Sequence, residues 1–490
     1  MYTHSTYFRA HLKMGIFLTV LYLLGVAAAI HAIFHTRTSQ GTIAWVISLI
    51  TIPFVSIPMY ALFGPRKFQS YIDTKYQSNK KMKGINKHLL EQFELFKSQL
   101  KSDKANINAL ENLAQLPFTS NNGVQLLIDG QQAFPAMLKA INESRKYILI
   151  QFYIVRDDEM GIKFKDALIA KAREGVEIFF LYDSVGSHDL PNHYIRSLKE
   201  NGIHVVCFNE AKFPINRFQM NFRNHRKILI TDGLTAFVGG LNLGNEYVGI
   251  SDKFNCWRDT HTLFTGPCVQ GVQLTFVEDW FSETYVIPEL NWTPEKNLNQ
   301  ENDGKPNPDK DVLVLSSGPI DDIETGTLFF LHLINSARKR LWIASPYFIP
   351  DIQVISALQL AVLRGVDVRI LLPGQPDNKL MQLTSFASFQ EVITTGVKIY
   401  NYQPGFMHQK VLLIDNDISA IGTANLGNRS FRLNFELMML IAGKNFASEV
   451  EEMLNHDFDL SSPFDINKIK LKPFLSRLLI RAARLVAPLQ

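Results

Sequence analysis

Cysteine is scarce, with three residues in 490: Cys207, Cys256 and Cys268. They form no CxxC and leave one thiol over under any pairing, which excludes a disulfide framework and fits a reducing compartment. No HExxH and no Cys/His cluster marks a metal site, so no metal and no cofactor is expected, and no GxxxxGK[ST] loop is there to cradle a nucleotide. A strong excess of charge is missing too. Fifty Lys and Arg stand against 46 Asp and Glu, and a net charge of +4 is too weak to argue for nucleic acid. With 46% apolar and 20% charged residues, the chain has core material for two or three domains and little scope for wholesale disorder.

Near the N-terminus, charge itself disappears. Residues 16–34 (IFLTVLYLLGVAAAIHAIF) and 43–63 (IAWVISLITIPFVSIPMYALF) carry no formal charge. Each approaches the roughly 20 residues that cross a ~30 Å hydrocarbon layer. The first run is long for the apolar part of a signal peptide, and a second follows at once. Residues 1–66 are therefore expected to form a two-helix membrane hairpin; Pro53 and Pro58 do not forbid it, because membrane helices tolerate proline. Arg9 and Lys13 precede the first span, and Arg66, Lys67, Lys75, Lys80, Lys81 and Lys83 follow the second, whereas the connecting HTRTSQGT holds only Arg37. The positive-inside bias puts both ends in the cytoplasm, and the long remainder works at that membrane face.

Residues 67–118 read as a polar, helical linker. From 119 onward β and α patterns alternate: KYILIQFYI is a strand, GIKFKDALIAKAREG an amphipathic helix ending at Gly175, and VEIFFLYD a buried strand. This first α/β unit spans 119–292, a polar Pro/Gly-containing linker 293–311, and a second unit 312–460, before a basic tail at 461–490. The second unit repeats the first. AINESRKYILIQFYI answers LINSARKRLWIASPYFI, Gly175 answers Gly365, and Gly202 answers Gly396. NHRKILITDG, with His225, Lys227 and Asp232, answers MHQKVLLIDN, with His408, Lys410 and Asp415. Both copies continue to an asparagine, Asn242 in GGLNLGN and Asn425 in GTANLGN. One HxKx4D is a weak pattern; two in matching contexts are a strong one.

A strand period of two sets His225 and Lys227 on one face and Arg226 on the other. The apolar run then turns back through Thr-Asp-Gly as a hairpin. Asp232 and Asp415, at the turn ends, are expected to fix geometry rather than touch substrate. Two histidines, two lysines and two asparagines around one cavity suit a phosphodiester better than a metal. Neutral imidazole attacks phosphorus, imidazolium protonates a leaving alkoxide, and ammonium and amide donors stabilise charge on the non-bridging oxygens. An attacking imidazole needs a carboxylate on its other nitrogen; the candidates are Asp259 in NCWRDTHT and Glu436 in RLNFEL.

The chain resembles the bacterial cardiolipin synthases of the phospholipase D superfamily. The likeness runs through YALFGPRKF, DSVGS, RNHRKILITDG, WRDTHTLFTGP, SPYFIPD, FMHQKVLLID and GTANLGNRSFRLNFE. It implies two similar phospholipase D-like α/β/α halves in pseudo-twofold arrangement, with the active site between them, and a multi-pass place in the cytoplasmic membrane. It implies a phosphatidyl-enzyme on His225, with His408 as acid and base, and it strengthens Asp259 and Glu436 as histidine partners. The implied reaction moves a phosphatidyl group from one phosphatidylglycerol to another, releasing glycerol. A phospholipase D hydrolase, or a transferase using another alcohol, shares these motifs; a nuclease or a catalytically dead scaffold fits them less well. The family's usual glycine-serine pair is Gly239-Gly240 in the first half and Gly422-Thr423 in the second, which puts a symmetric hydrogen-bonding scheme in doubt. Two membrane-facing elements are expected besides the spans. One is a lipid entry lip at 211–223, with Phe213, Phe218, Met220 and Phe222 among Arg217 and Arg223; the other is a basic amphipathic helix after Pro473 with Arg477, Arg481 and Arg484. Anionic membrane lipids are thus the expected partners, and the sequence does not specify an oligomeric state.

Overall fold

The computed structural model describes residues 2–36, 39–64, 69–100, 104–209, 222–251, 253–254, 256–294, 306–467 and 471–484. The chain divides after Asp73 into two compact units.

In the first unit, α1 (Tyr2–His35) is followed by α2 (Ser39–Thr51) and α3 (Pro53–Phe63). Among the described residues one helical stretch, His11–His35, is long and apolar enough to cross a membrane. The second apolar run is not one helix. Proline lacks the N–H that would continue the ladder, and Ile52 before it leaves the helical region, with φ −134°. At ~1.5 Å per residue, α2 alone covers only about 20 Å. Small residues let these helices pack closely: Ala29, Ala32 and Leu49 form a buried cluster, with Trp45 and Tyr60 against it.

The second unit is built on a long mixed sheet. Its main path uses, in chain order, β1 (Thr119–Ile128), β2 (Tyr147–Phe152), β3 (Glu177–Asp183), β4 (His204–Phe208), β5 (Ile228–Thr231), β6 (Thr235–Gly239) and β7 (Thr260–Thr265). These are followed by β8 (Lys310–Ser317), β9 (Arg340–Ala344), β10 (Asp367–Pro373), β11 (Lys398–Tyr402), β12 (Val411–Ile414), β13 (Ile418–Gly422), β14 (Asn434–Ala442) and β15 (Ser461–Pro463). The sheet order is β15-β11-β10-β9-β12-β13-β14-β8-β1-β7-β6-β5-β2-β3-β4. Outward from the β8–β1 seam, each half therefore meets its strands in the same sequence, with β15 as an extra edge. The duplication seen in the sequence is thus a duplication of topology, and the fold is a mixed α/β one with repeated domains.

The repeat extends to local conformation. Gly175 and Gly365 each follow a helix at positive φ, +91° and +87°, where a side chain would be strained. Each half has its own apolar core, one around Phe134, Phe164, Phe180 and Phe237, the other around Phe329, Phe330, Leu358 and Leu440. The strands β2 and β12 are buried along their whole length, as expected of apolar runs covered on both faces.

Candidate active site

The first motif does not lie within a regular strand. His225, Arg226 and Lys227 occupy the segment between a short strand, Arg223–Asn224, and β5. That short strand pairs in parallel with Asn434–Phe435 at the start of β14, so the first half's motif is pinned to the second half's backbone. The His225 N–H then donates to the Phe435 carbonyl at 3.0 Å. The second motif does the converse. Phe406–Met407 pairs in parallel with Trp257–Arg258, and the His408 N–H donates to the Arg258 carbonyl at 2.7 Å.

This exchange decides which carboxylate meets which histidine. The residue after Phe435 is Glu436, and the residue after Arg258 is Asp259. The His225 Nδ1–H donates to Glu436 Oε2 at 2.9 Å, and the His408 Nδ1–H to Asp259 Oδ2 at 2.8 Å. Each imidazole is therefore held by a carboxylate of the opposite half. With the proton fixed on Nδ1, Nε2 keeps a free lone pair. Both histidines line a cavity of about 460 Å3, together with Tyr153, Arg223, Trp257, Tyr347, Asn242, Asn425 and Arg429.

Electrostatics follow from burial. Desolvation pushes both imidazoles down to about 4; the paired carboxylates oppose this, and the nearby lysines add to it. Burial also pushes Glu436 and Asp259 upward, but His225 and Lys227 around the first, and Lys410 and His408 around the second, more than offset it, so both carboxyls lie below their ordinary values. Lys410 is lowered by burial to about 8, and Lys227 is lowered for the same reason.

The lysines do not line the cavity. Lys227 Nζ donates to the His225 carbonyl at 2.5 Å, and Lys410 Nζ to the His408 carbonyl, each almost fully buried beneath its histidine. Arg226 points the other way, to Asp279 at 2.5 Å, as alternation along an extended chain requires. Asp232 and Asp415 sit at left-handed turn positions, φ +55° and +51°. Asp232 accepts from the N–H groups of Arg145, Lys146 and Tyr147 at 2.8, 2.7 and 3.0 Å, and from the Ser144 hydroxyl. Asp415 accepts likewise from the N–H groups of Arg338, Lys339 and Arg340. The two asparagines differ. Asn242 accepts from the Ile154 N–H and donates to Tyr247, whereas the Asn425 side-chain oxygen is buried with no hydrogen-bond partner among the described residues.

The unequal glycine pairs have a local cause. Thr423 Oγ1 donates to Glu436 Oε2 at 2.5 Å, and Ser430 and Asn434 donate to Oε1. In the other half a Cβ on Gly240 would lie 2.0 Å from Asp259 Oδ1, so the shorter acid occupies the space of the missing side chain. The threonine hydroxyl thus belongs to a histidine's carboxylate; it is not a phosphate donor, and the asymmetry lies one layer behind the reacting atoms.

Several lining residues escaped the sequence reading. Tyr153 packs edge-on to His225 with ring centroids 5.0 Å apart and accepts from Arg223 Nη1 at 2.9 Å; Trp257 lies 5.4 Å from His408. Arg429, in the NLGNRS that follows the second motif, offered the one sequence signal, a cation four residues past Asn425. The lip at 211–223 falls outside the described residues except for Phe222, which is buried, and Arg223, which faces the cavity.

Comparison with known proteins places these features. Residues 137–265 and 330–458 each match the family model described as "Cardiolipin synthase, PLD-like domain", and residues 23–65 match a phospholipase D-nuclease N-terminal model. The chain is 43% identical over 493 residues to cardiolipin synthase A of Pseudomonas putida (strain GB-1), covering 99% of both chains. Identity to cardiolipin synthase A of Pseudomonas aeruginosa (strain LESB58) is also 43%, over 97% of this chain and 96% of the relative. Among solved structures, phosphatidylserine synthase of Haemophilus influenzae Rd KW20 has the same fold, with TM-score 0.60 at 17% identity over 79% of this chain and 100% of that one.

Proposed function

We propose a mechanism for a chain that belongs to the bacterial cardiolipin synthases of the phospholipase D superfamily: a membrane protein, a phospholipid phosphatidyltransferase, and an enzyme acting on lipids such as phosphatidylglycerol. His225 Nε2 attacks the phosphorus of one phosphatidylglycerol. The bond from phosphorus to the glycerol headgroup breaks, and His408 gives its Nε2 proton to the departing oxygen. Glycerol leaves, and a second phosphatidylglycerol brings its terminal hydroxyl to the phosphatidyl-histidine. His408 takes that hydroxyl's proton as the oxygen attacks phosphorus and the N–P bond breaks, giving cardiolipin and the starting enzyme.

The observation that carries this reading is the crossed pairing of two cavity-lining histidines with two buried carboxylates. It leaves two Nε2 atoms facing one space, as double displacement at phosphorus needs. With both imidazoles neutral at rest, the nucleophile is ready, and the proton required on His408 is favoured once an anionic phosphodiester enters. Arg223, Arg429 and Asn425 are the groups placed to meet the phosphate. The buried lysines act through the field they set up beneath the histidines. Asp232 and Asp415 hold the turns that aim the motifs.

We read the matched strand order as a pseudo-twofold relation between the halves. We also propose a multi-pass anchor, with α1 as one crossing, α2 and α3 together as the second, and the catalytic unit in the cytoplasm. A cysteine placed in residues 36–42 should then react with an impermeant maleimide added outside intact cells, and one at 75–83 should not; the opposite pattern overturns the topology. For the chemistry, the full chain is incubated with headgroup- and phosphate-labelled phosphatidylglycerol in vesicles. Cardiolipin and free glycerol in equal amounts, with the phosphate label trapped on wild type but not on His225→Ala, are expected. Phosphatidic acid as the only lipid product would overturn synthesis, and an adduct persisting in His225→Ala would move the nucleophile to His408.

A further inference from the structure

The chain's last described helix, Phe474–Ala483, is docked on one side and bare on the other. Ile480 and Ala483 are buried, the Ala483 carbonyl accepts from Thr384 Oγ1 at 3.3 Å, and Arg484 pairs with Glu391. Both partners belong to the helix Lys379–Ile393, so the tail is fixed in place. Away from that contact, Leu471, Phe474, Leu475, Leu478 and Leu479 are 50–84% exposed. At 3.6 residues per turn, positions 474, 475, 478 and 479 share one face, and Arg477 and Arg481 fill the arc between it and the docked side.

Five large apolar side chains exposed together are costly in water and mark an interaction site. The charge around them selects the partner. Residues 467–490 contain six Lys and Arg and no Asp or Glu. Apolar side chains flanked by Arg477 and Arg481 fit an anionic phospholipid surface, the apolar face entering the acyl boundary and these arginines meeting phosphates. The supporting helix gives the contact a consequence. Its cap residue Asn378 and its first-turn Met381 line the catalytic cavity.

We propose that the helix Phe474–Ala483 is a second, interfacial membrane contact, which inserts its leucine face into an anionic leaflet and, through Lys379–Ile393, holds the cavity wall at the lipid surface. This goes beyond phosphatidyl transfer and does not depend on it, because membrane contact is read without turnover.

The test uses the full chain reconstituted in vesicles of phosphatidylglycerol and a neutral lipid. An environment-sensitive fluorophore on L479C should be quenched by nitroxides on the upper acyl chain, and R477E/R481E should weaken that quenching, most at low anionic content. Fluorescence unaffected by lipid-borne nitroxides overturns the proposal. Separately, L475S/L478S/L479S should lose about tenfold or more of its turnover on vesicle lipid while keeping turnover on a short-chain, monomeric phosphatidylglycerol within about twofold. Equal losses on both substrates, or none on either, overturn the link to catalysis. A fall in oligomeric mass in the triple variant, with no lipid quenching in L479C, would show that a second copy of the chain covers this face instead.

Discussion

Glu436→Gln is the sharpest single change available. It keeps the size of the side chain and one oxygen for His225 Nδ1 and the Thr423 hydroxyl, turns an amide N–H2 toward Ser430, and removes the charge 2.9 Å from His225 Nδ1. In the first displacement His225 gains positive character as Nε2 bonds to phosphorus. With about 4 Å between charge centres and an effective dielectric near 20, the carboxylate contributes about 4 kcal/mol to that charged state. At ~1.4 kcal/mol per decade, labelling of the enzyme should slow by about a thousandfold. The assay is the burst of p-nitrophenol from a phosphatidyl p-nitrophenyl diester, whose leaving group needs no proton. Glu436→Gln should suppress the burst by that factor. Asp259→Asn acts on His408 and should leave the burst nearly intact, yet block transfer to phosphatidylglycerol. The reverse pattern would make His408 the phosphatidyl carrier, and equal suppression by both variants would refute the division of roles.

Other expectations rest on single features. Gly240→Ala puts a carbon where Asp259 Oδ1 stands, 2.0 Å away, so turnover should collapse while the thermal midpoint changes modestly; full activity would contradict that packing. Asp232→Ala strips the acceptor from three backbone N–H groups and should cost about 2–4 kcal/mol in denaturant unfolding, with kcat of the folded fraction changed far less than by His225→Ala. Lys410, lowered to about 8, loses its charge just above neutrality, so the pH–rate profile of transfer should fall with an apparent pKa near 8, and a flat profile to pH 10 would remove the lysine field from the mechanism. Both histidines are depressed from 6.5 to about 4, so the unfolded chain binds more protons between those values. Stability fully present above pH 6.5 should be lost as pH falls toward 4, read as a falling melting temperature that His408→Gln makes less steep.

The sequence made the repeat legible because helix-capping glycines, apolar strand runs and the two HxKx4D motifs recur in register, and each is a local pattern. It made the first membrane helix legible for the same reason, since a long uncharged run needs no tertiary context. The second run was harder to place, as the break at Ile52–Pro53 turns one apolar stretch into two helices. Residue types at the site were also visible, including both carboxylates. Their wiring was not. Nothing in the spacing says that His225 meets Glu436, 211 residues away, instead of Asp259 in its own half.

That choice is made by backbone pairing between halves. Arg223–Asn224 adds to the start of β14, Phe406–Met407 adds to Trp257–Arg258, and each histidine N–H lands on the carbonyl just before the other half's acid. Composition and periodicity are properties of neighbours along the chain, so the sequence by itself determined the elements, their duplication and the chemistry they could support. Which nitrogen holds the proton, why Gly240 needs no hydroxyl, and which face of the last helix stays bare depend on atoms brought together across hundreds of residues. Only the tertiary structure decided those.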